Sequence, residues 1–154
     1  MKLFIGERIL LTLWVGGMWT VGYIVTPTLF NMLESRMLAG DVAGRLFTLL
    51  SYLGLVSGAV LLTGQLYRST VDWQRNWRVG VLLLMVLVIV IGEFVLQPMM
   101  AQLKETGLIK GSDAASQFGR LHGVASLLFL LNSLLGLALV VFGLEKQTKQ
   151  GDGS

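Results

Sequence analysis

The chain has 154 residues, of which 54% are hydrophobic and only 14% charged, and its mean hydropathy is +0.72. That composition excludes an ordinary water-soluble domain. Cysteine is absent, so disulfides, thiolate metal sites and thiol catalysis are excluded. The net charge of +3 comes from bases scattered through short loops rather than gathered into a patch with interleaved aromatics, which gives no support to nucleic-acid binding.

Residues 9–33, 46–67 and 123–144 carry no charged side chain, and residues 79–103 carry one, Glu93. A span needs roughly 20 apolar residues to cover a hydrocarbon core of about 30 Å, so each block can cross a bilayer. The first block follows Lys2 and Arg8 as a secretory leader would. It is too long for a leader core, however, and Thr26-Pro27-Thr28-Leu29-Phe30 lacks a small-x-small cleavage pattern. The runs do not alternate polar and apolar residues, which disfavours a β-barrel. The expected fold is an all-α integral membrane protein, a single domain over residues 1–144 with transmembrane helices at about 8–30, 45–67, 77–98 and 119–143. The polar tail, 145–154, has the composition of a disordered end.

The first helix and the loop after it reappear further along the chain. A shift of 71 residues carries Pro27 onto Pro98, Glu34 onto Glu105, Gly40 onto Gly111, Ala43 onto Ala114, Phe47 onto Phe118 and Leu50 onto Leu121. The expected organisation is therefore two tandem helical hairpins of the same orientation, unlike the inverted repeats of many transporters. In each unit the proline marks a kink or exit followed by a short connecting helix. Gly40 or Gly111 is expected to supply a left-handed cap, and Asp41 or Ser112 the N-cap of the next helix.

Lys and Arg in short loops favour the cytoplasmic side. The N-terminus, the Arg68 to Arg78 loop and the tail hold Lys2, Arg8, Arg68, Arg75, Arg78, Lys146 and Lys149, against Arg36, Arg45, Lys104, Lys110 and Arg120 opposite. Both termini are expected inside, with Trp73 and Trp77 in the aromatic belt. Small residues form stripes at Thr12/Gly16/Thr20, at Ser51/Gly54/Gly58 and at Ser126/Ser133/Gly136. Such stripes let helix backbones approach closely within one bundle, or between copies in a homo-oligomer.

Ionisable groups at membrane depth are costly and mark functional sites by default. Glu93 stands five residues before Pro98, about 7.5 Å below the outer end expected for its helix. Arg45, Arg120 and His122 open the second and fourth helices at that same end, and Ser126 follows His122 on one face. Arg45, Glu93, Arg120, His122 and Ser126 form the candidate binding cluster. Its plain structural alternative pairs Glu93 with Arg45 or Arg120 and has His122 donate to a backbone carbonyl. On the functional side, His122 is the natural proton carrier or metal ligand.

The segment Phe118-Gly119-Arg120-Leu121-His122-Gly123-Val124-Ala125-Ser126 resembles the opening of the last helix in the transmembrane protein 205-like family, with the shared pattern Phe-x-Arg-x-His-Gly-x-x-Ser. Pro27-Thr28-Leu29-Phe30, Gly44-Arg45-Leu46-Phe47 and Pro98 are compatible, so the resemblance extends over most of residues 6–144. It implies a small four-helix membrane protein, described in bacteria as a domain of unknown function, without a settled reaction or substrate. In relatives an acid can stand directly before the third-helix proline, where this chain has Gln97. The animal member is linked to tolerance of platinum drugs, and soft metals prefer thioether and imidazole ligands. His122, Met99 and Met100 are the metal candidates on that alternative.

A third alternative is a small haem- or quinone-associated redox enzyme, although the single histidine rules out two-histidine haem ligation within one monomer. No hydrolase elbow, phosphate loop or zinc-protease helix is present in the sequence. The expectation is a non-enzymatic protein of a bacterial inner membrane, whose outer-end site binds an ion, a lipid headgroup or a membrane protein partner.

Overall fold

The computed structural model describes residues 2–68, 77–109 and 111–143. Trp73, Arg75, Lys110 and the tail with Lys146 and Lys149 lie outside the described residues. In chain order the elements are α1 (Lys2–Trp19), a π-helical turn π1 (Thr20–Val25), α2 (Thr26–Met32), α3 (Arg36–Arg68), α4 (Trp77–Ile91), a second π turn π2 (Gly92–Leu96), α5 (Gln97–Glu105) and α6 (Asp113–Gly143). α1, π1 and α2 join end to end, as do α4, π2 and α5.

Four helical stretches, Ile5–Met32, Arg36–Gly64, Trp77–Glu105 and Asp113–Phe142, are long and apolar enough to cross a membrane. At 28 to 30 residues each, they measure about 42–45 Å. They therefore overhang or tilt within a core of about 30 Å. Their outer faces carry exposed Leu13, Leu49, Leu87 and Leu127, a surface that water would not favour and lipid would.

The four spans form a ring in which α1 and α4 each pack against both α3 and α6. Its core is Trp14, Val15, Met18, Leu61, Leu82, Met85, Ile89 and Leu139. Lipid tails supply no hydrophobic drive, so close approach has to come from small residues. A Cβ on Gly54 would lie 2.7 Å from Trp14 Nε1 and 2.6 Å from Ile89 Cδ1; on Gly58, 2.5 Å from Val86 Cγ2; on Gly136, 2.9 Å from Val15 Cγ2. These glycines, with buried Ser133, are where the α3 and α6 stripes pack. The α1 stripe behaves otherwise: Thr12, Gly16 and Thr20 are exposed, and nothing lies within 4 Å of a Cβ placed on Gly16.

Both π turns end two residues before a proline. Pro27 and Pro98 cannot donate to the preceding turn, and their rings crowd the carbonyl four residues back. A widened turn relieves that crowding: Thr26 N donates to the Val21 carbonyl and Gln97 N to the Gly92 carbonyl, each five residues back. Thr28 Oγ1 donates to the Ile24 carbonyl at 2.7 Å. The helices then continue past each proline as the short α2 and α5.

The start of α3 corrects one sequence expectation. Gly40 is not a left-handed cap and Asp41 is not an N-cap, because α3 begins at Arg36 and runs through both. Ser35 caps instead, its Oγ accepting from Leu38 N at 3.2 Å. Ala39 and Ala43, at 0% and 4% exposure, turn the added stretch into packed helix. At the other loop Gly111 does take a left-handed φ of +88°, as does Gly107 at +85°. Ser112 Oγ accepts from Ala115 N at 3.1 Å, the expected N-cap, so α6 opens at Asp113 rather than near residue 119.

Candidate functional site

Because α3, α5 and α6 reach further than expected, the candidate residues sit deeper in their helices. Arg45 lies nine residues into α3, His122 nine into α6 and Arg120 seven, roughly 10–14 Å from the helix ends. Glu93 lies twelve residues before the end of α5, roughly 18 Å by the same rise. The contacts of Gly54 with Ile89 and of Gly136 with Met85 fix the antiparallel register. In that register Glu93 faces the level of Leu50 on α3 and Leu128 on α6. Arg45, His122 and Arg120 stand roughly 8–12 Å further out. The four are therefore stacked in two tiers rather than gathered at one depth.

In the outer tier a chain of contacts ties three helices together. Lys104 Nζ on α5 pairs with Asp41 Oδ1 on α3 at 2.8 Å and stands 5.8 Å from the centroid of the Phe118 ring on α6. Phe118 stacks on His122 with centroids 6.1 Å apart and planes 8° from parallel. His122 is exposed, and no hydrogen bond to its ring nitrogens occurs among the described residues, so the imidazole is open to a ligand. The hydroxyl of Ser126 is committed elsewhere, donating to the His122 carbonyl at 2.8 Å. Arg45 and Arg120 are exposed, and neither pairs with Glu93. Met99 is 46% exposed, whereas Met100 at 8% points into the bundle. Among the described residues no group of three or more His, Asp or Glu could hold a metal ion.

The inner tier holds Glu93. It lies on the inward stripe Met85, Ile89, Glu93, Leu96 and Met100, all the others of which are buried, and is itself half-buried. No hydrogen bond or ion pair reaches it among the described residues. An intramembrane acid that faces a bundle interior rather than lipid is the usual position for a working group. Below it, Trp19 Nε1 donates to the Ser133 carbonyl at 3.3 Å, and Tyr23 and Ser133 hydroxyls share a 2.7 Å hydrogen bond. Toward the end of the bundle where α4 begins, Leu61, Leu82 and Leu139 pack together in the core, all below 6% exposure.

Sequence reasoning missed Asp41 and Lys104 as a linked pair, and also the buried Asn132 and Ser133, the latter bonded to the exposed Tyr23. Asn132 was the accessible signal, a carboxamide in the middle of an apolar run.

A family model described as a domain of unknown function (DUF4149) matches residues 9–108. The match takes in Arg45, Glu93 and Lys104 and stops before the Phe118 to Ser126 segment. No curated protein and no solved structure matches the chain.

Proposed function

We propose, given that the chain belongs to the DUF4149 family, that it is a non-catalytic membrane protein which takes a cation from the outer side into the mouth of its bundle. Glu93 is the carboxyl group at the floor of that site and His122 the open group at its rim. The observation that carries this reading is the half-buried, inward-facing Glu93, without a hydrogen-bond or ion-pair partner among the described residues. A carboxylate in low dielectric requires a proton, a cation or hydrogen-bond donors. The apolar closure at Leu61, Leu82 and Leu139 favours binding over conduction.

A hydrophobic carbodiimide tests it, since such reagents add to protonated carboxyls within the bilayer. Glu93 should take one adduct, Glu93→Gln should take none there, and a bound cation should slow the labelling. Labelling of Glu93 that no mono- or divalent cation alters would sink the reading.

Further elements of the same proposal are the two-hairpin duplication, the placement of both termini in the cytoplasm of a bacterium and the transmembrane protein 205-like assignment. The duplication draws support from the two π turns, each set just before Pro27 or Pro98. The uncovered Thr12, Gly16 and Thr20 stripe supports contact with a second chain in the membrane.

A further inference from the structure

The bundle centre contains polar atoms that the protein does not satisfy. Trp14 and Ser57 are completely buried, and among the described residues neither the indole nitrogen nor the hydroxyl has a hydrogen-bond partner. Asn132, 4% exposed, donates from Nδ2 to Met18 Sδ at 3.7 Å, and its Oδ1 has no partner among the described residues. The three come from α1, α3 and α6.

Packing places them in neighbouring layers. The Trp14 indole lies along α3, with Nε1 against the Gly54 position and Cη2 3.9 Å from that of Gly58. Ser57 shares this face of α3, three residues from Gly54 and next to Gly58. Ile89 meets the same Gly54 position. The contact of Gly136 with Met85 puts Asn132, four residues away on α6, level with Ile89. The layer thus offers an N–H that needs an acceptor, a carbonyl that needs a donor and a hydroxyl that can serve as either.

Hydrocarbon cannot answer any of these groups, and leaving them bare is costly. We propose that this layer is an internal hydration site, where water bridges Trp14 Nε1, Ser57 Oγ and Asn132 Oδ1. Water suits the set because one molecule both donates and accepts and makes two to four such bonds in a polar buried site. The site is independent of the cation reading, since it is wet whether or not Glu93 holds a cation.

The test is water-edited solid-state NMR on the full chain in lipid bilayers with ¹⁵N-labelled tryptophan. The four indole signals are assigned by Trp→Phe changes at positions 19, 73 and 77. Trp19 Nε1–H, bonded to the Ser133 carbonyl, is the internal reference. Magnetisation from water should reach the Trp14 indole faster than that of Trp19, and Ser57→Ala should remove this advantage while leaving the Trp19 signal in place. Transfer to Trp14 no faster than to Trp19 in the unaltered chain would establish a dry core and overturn the proposal. So would a Trp14 advantage that persists unchanged in both Ser57→Ala and Asn132→Leu.

Discussion

Two glycines, each on a stripe of small residues, have opposite surroundings in space, and this gives a sharp test of the packing. Gly16→Ala adds a methyl where nothing lies within 4 Å, whereas Gly54→Ala puts one 2.7 Å from Trp14 Nε1, 3.0 Å from Trp14 Cε2 and 2.6 Å from Ile89 Cδ1. The Ile89 methyl can rotate away. The indole is fully buried and rigid, so α3 has to move off α1. Overpacking of this kind costs about 1–3 kcal/mol. Both variants gain the same helix preference of alanine over glycine, about 0.8–1 kcal/mol in water, so it cancels when one variant is compared with the other. Gly54→Ala should therefore be less stable than Gly16→Ala by about 1–3 kcal/mol, roughly 5- to 150-fold in the unfolding equilibrium. Reversible unfolding in mixed micelles, followed by far-UV circular dichroism, measures the difference. Equal stability of the two variants, or a more stable Gly54→Ala, would show that the α1–α3 contact is not the one described.

Ser133→Ala strands the Tyr23 hydroxyl and should destabilise by about 1–3 kcal/mol in the same unfolding assay. Adding Tyr23→Phe should recover part of the loss, because both hydrogen-bonding partners are then gone. Phe118→Leu removes the ring between Lys104 and His122, so the His122 ring protons should shift downfield in NMR spectra while unfolding is little changed. Lys104→Met should leave overall stability close to that of the parent, because its pair with Asp41 is solvent-exposed. The same change should loosen α5 against α3, which a spin-label distance between the two helices would register as a broader distribution.

The four spans were legible because length and hydropathy alone decide whether a segment crosses a bilayer, and neither depends on neighbours. Prolines and small residues were legible as types, but their use was not. Thr12/Gly16/Thr20 and Gly54/Gly58 read alike along the chain. Only the placement of Trp14 against α3 decides that one stripe is packed and the other bare. Gly40 and Gly111 likewise match in sequence, yet burial of Ala39 and Ala43 carries the chain helically through Gly40, whereas Gly111 turns it left-handed. The candidate residues could be picked by type, but their depth could not. Helix starts set by Ser35 and Ser112, and an α5 continuing to Glu105, put all four residues deeper in their helices, and the antiparallel register sets Glu93 inward of the others. The link from Asp41 through Lys104 and Phe118 to His122 joins separate helices and leaves no local pattern.

The bonds that seal α1 to α6 bear on how the chain is born. Trp19 and Tyr23 meet Ser133 across 114 and 110 residues, and Met18 meets Asn132 across 114. At roughly 5–20 residues per second of synthesis, α1 waits about 5–20 seconds for its last neighbour while its indole and phenol groups face the membrane. During that interval the open edge of one nascent bundle matches the final helix of any other copy. Crowded expression should therefore favour exchanged dimers closed by a borrowed α6, and slower production the self-closed monomer.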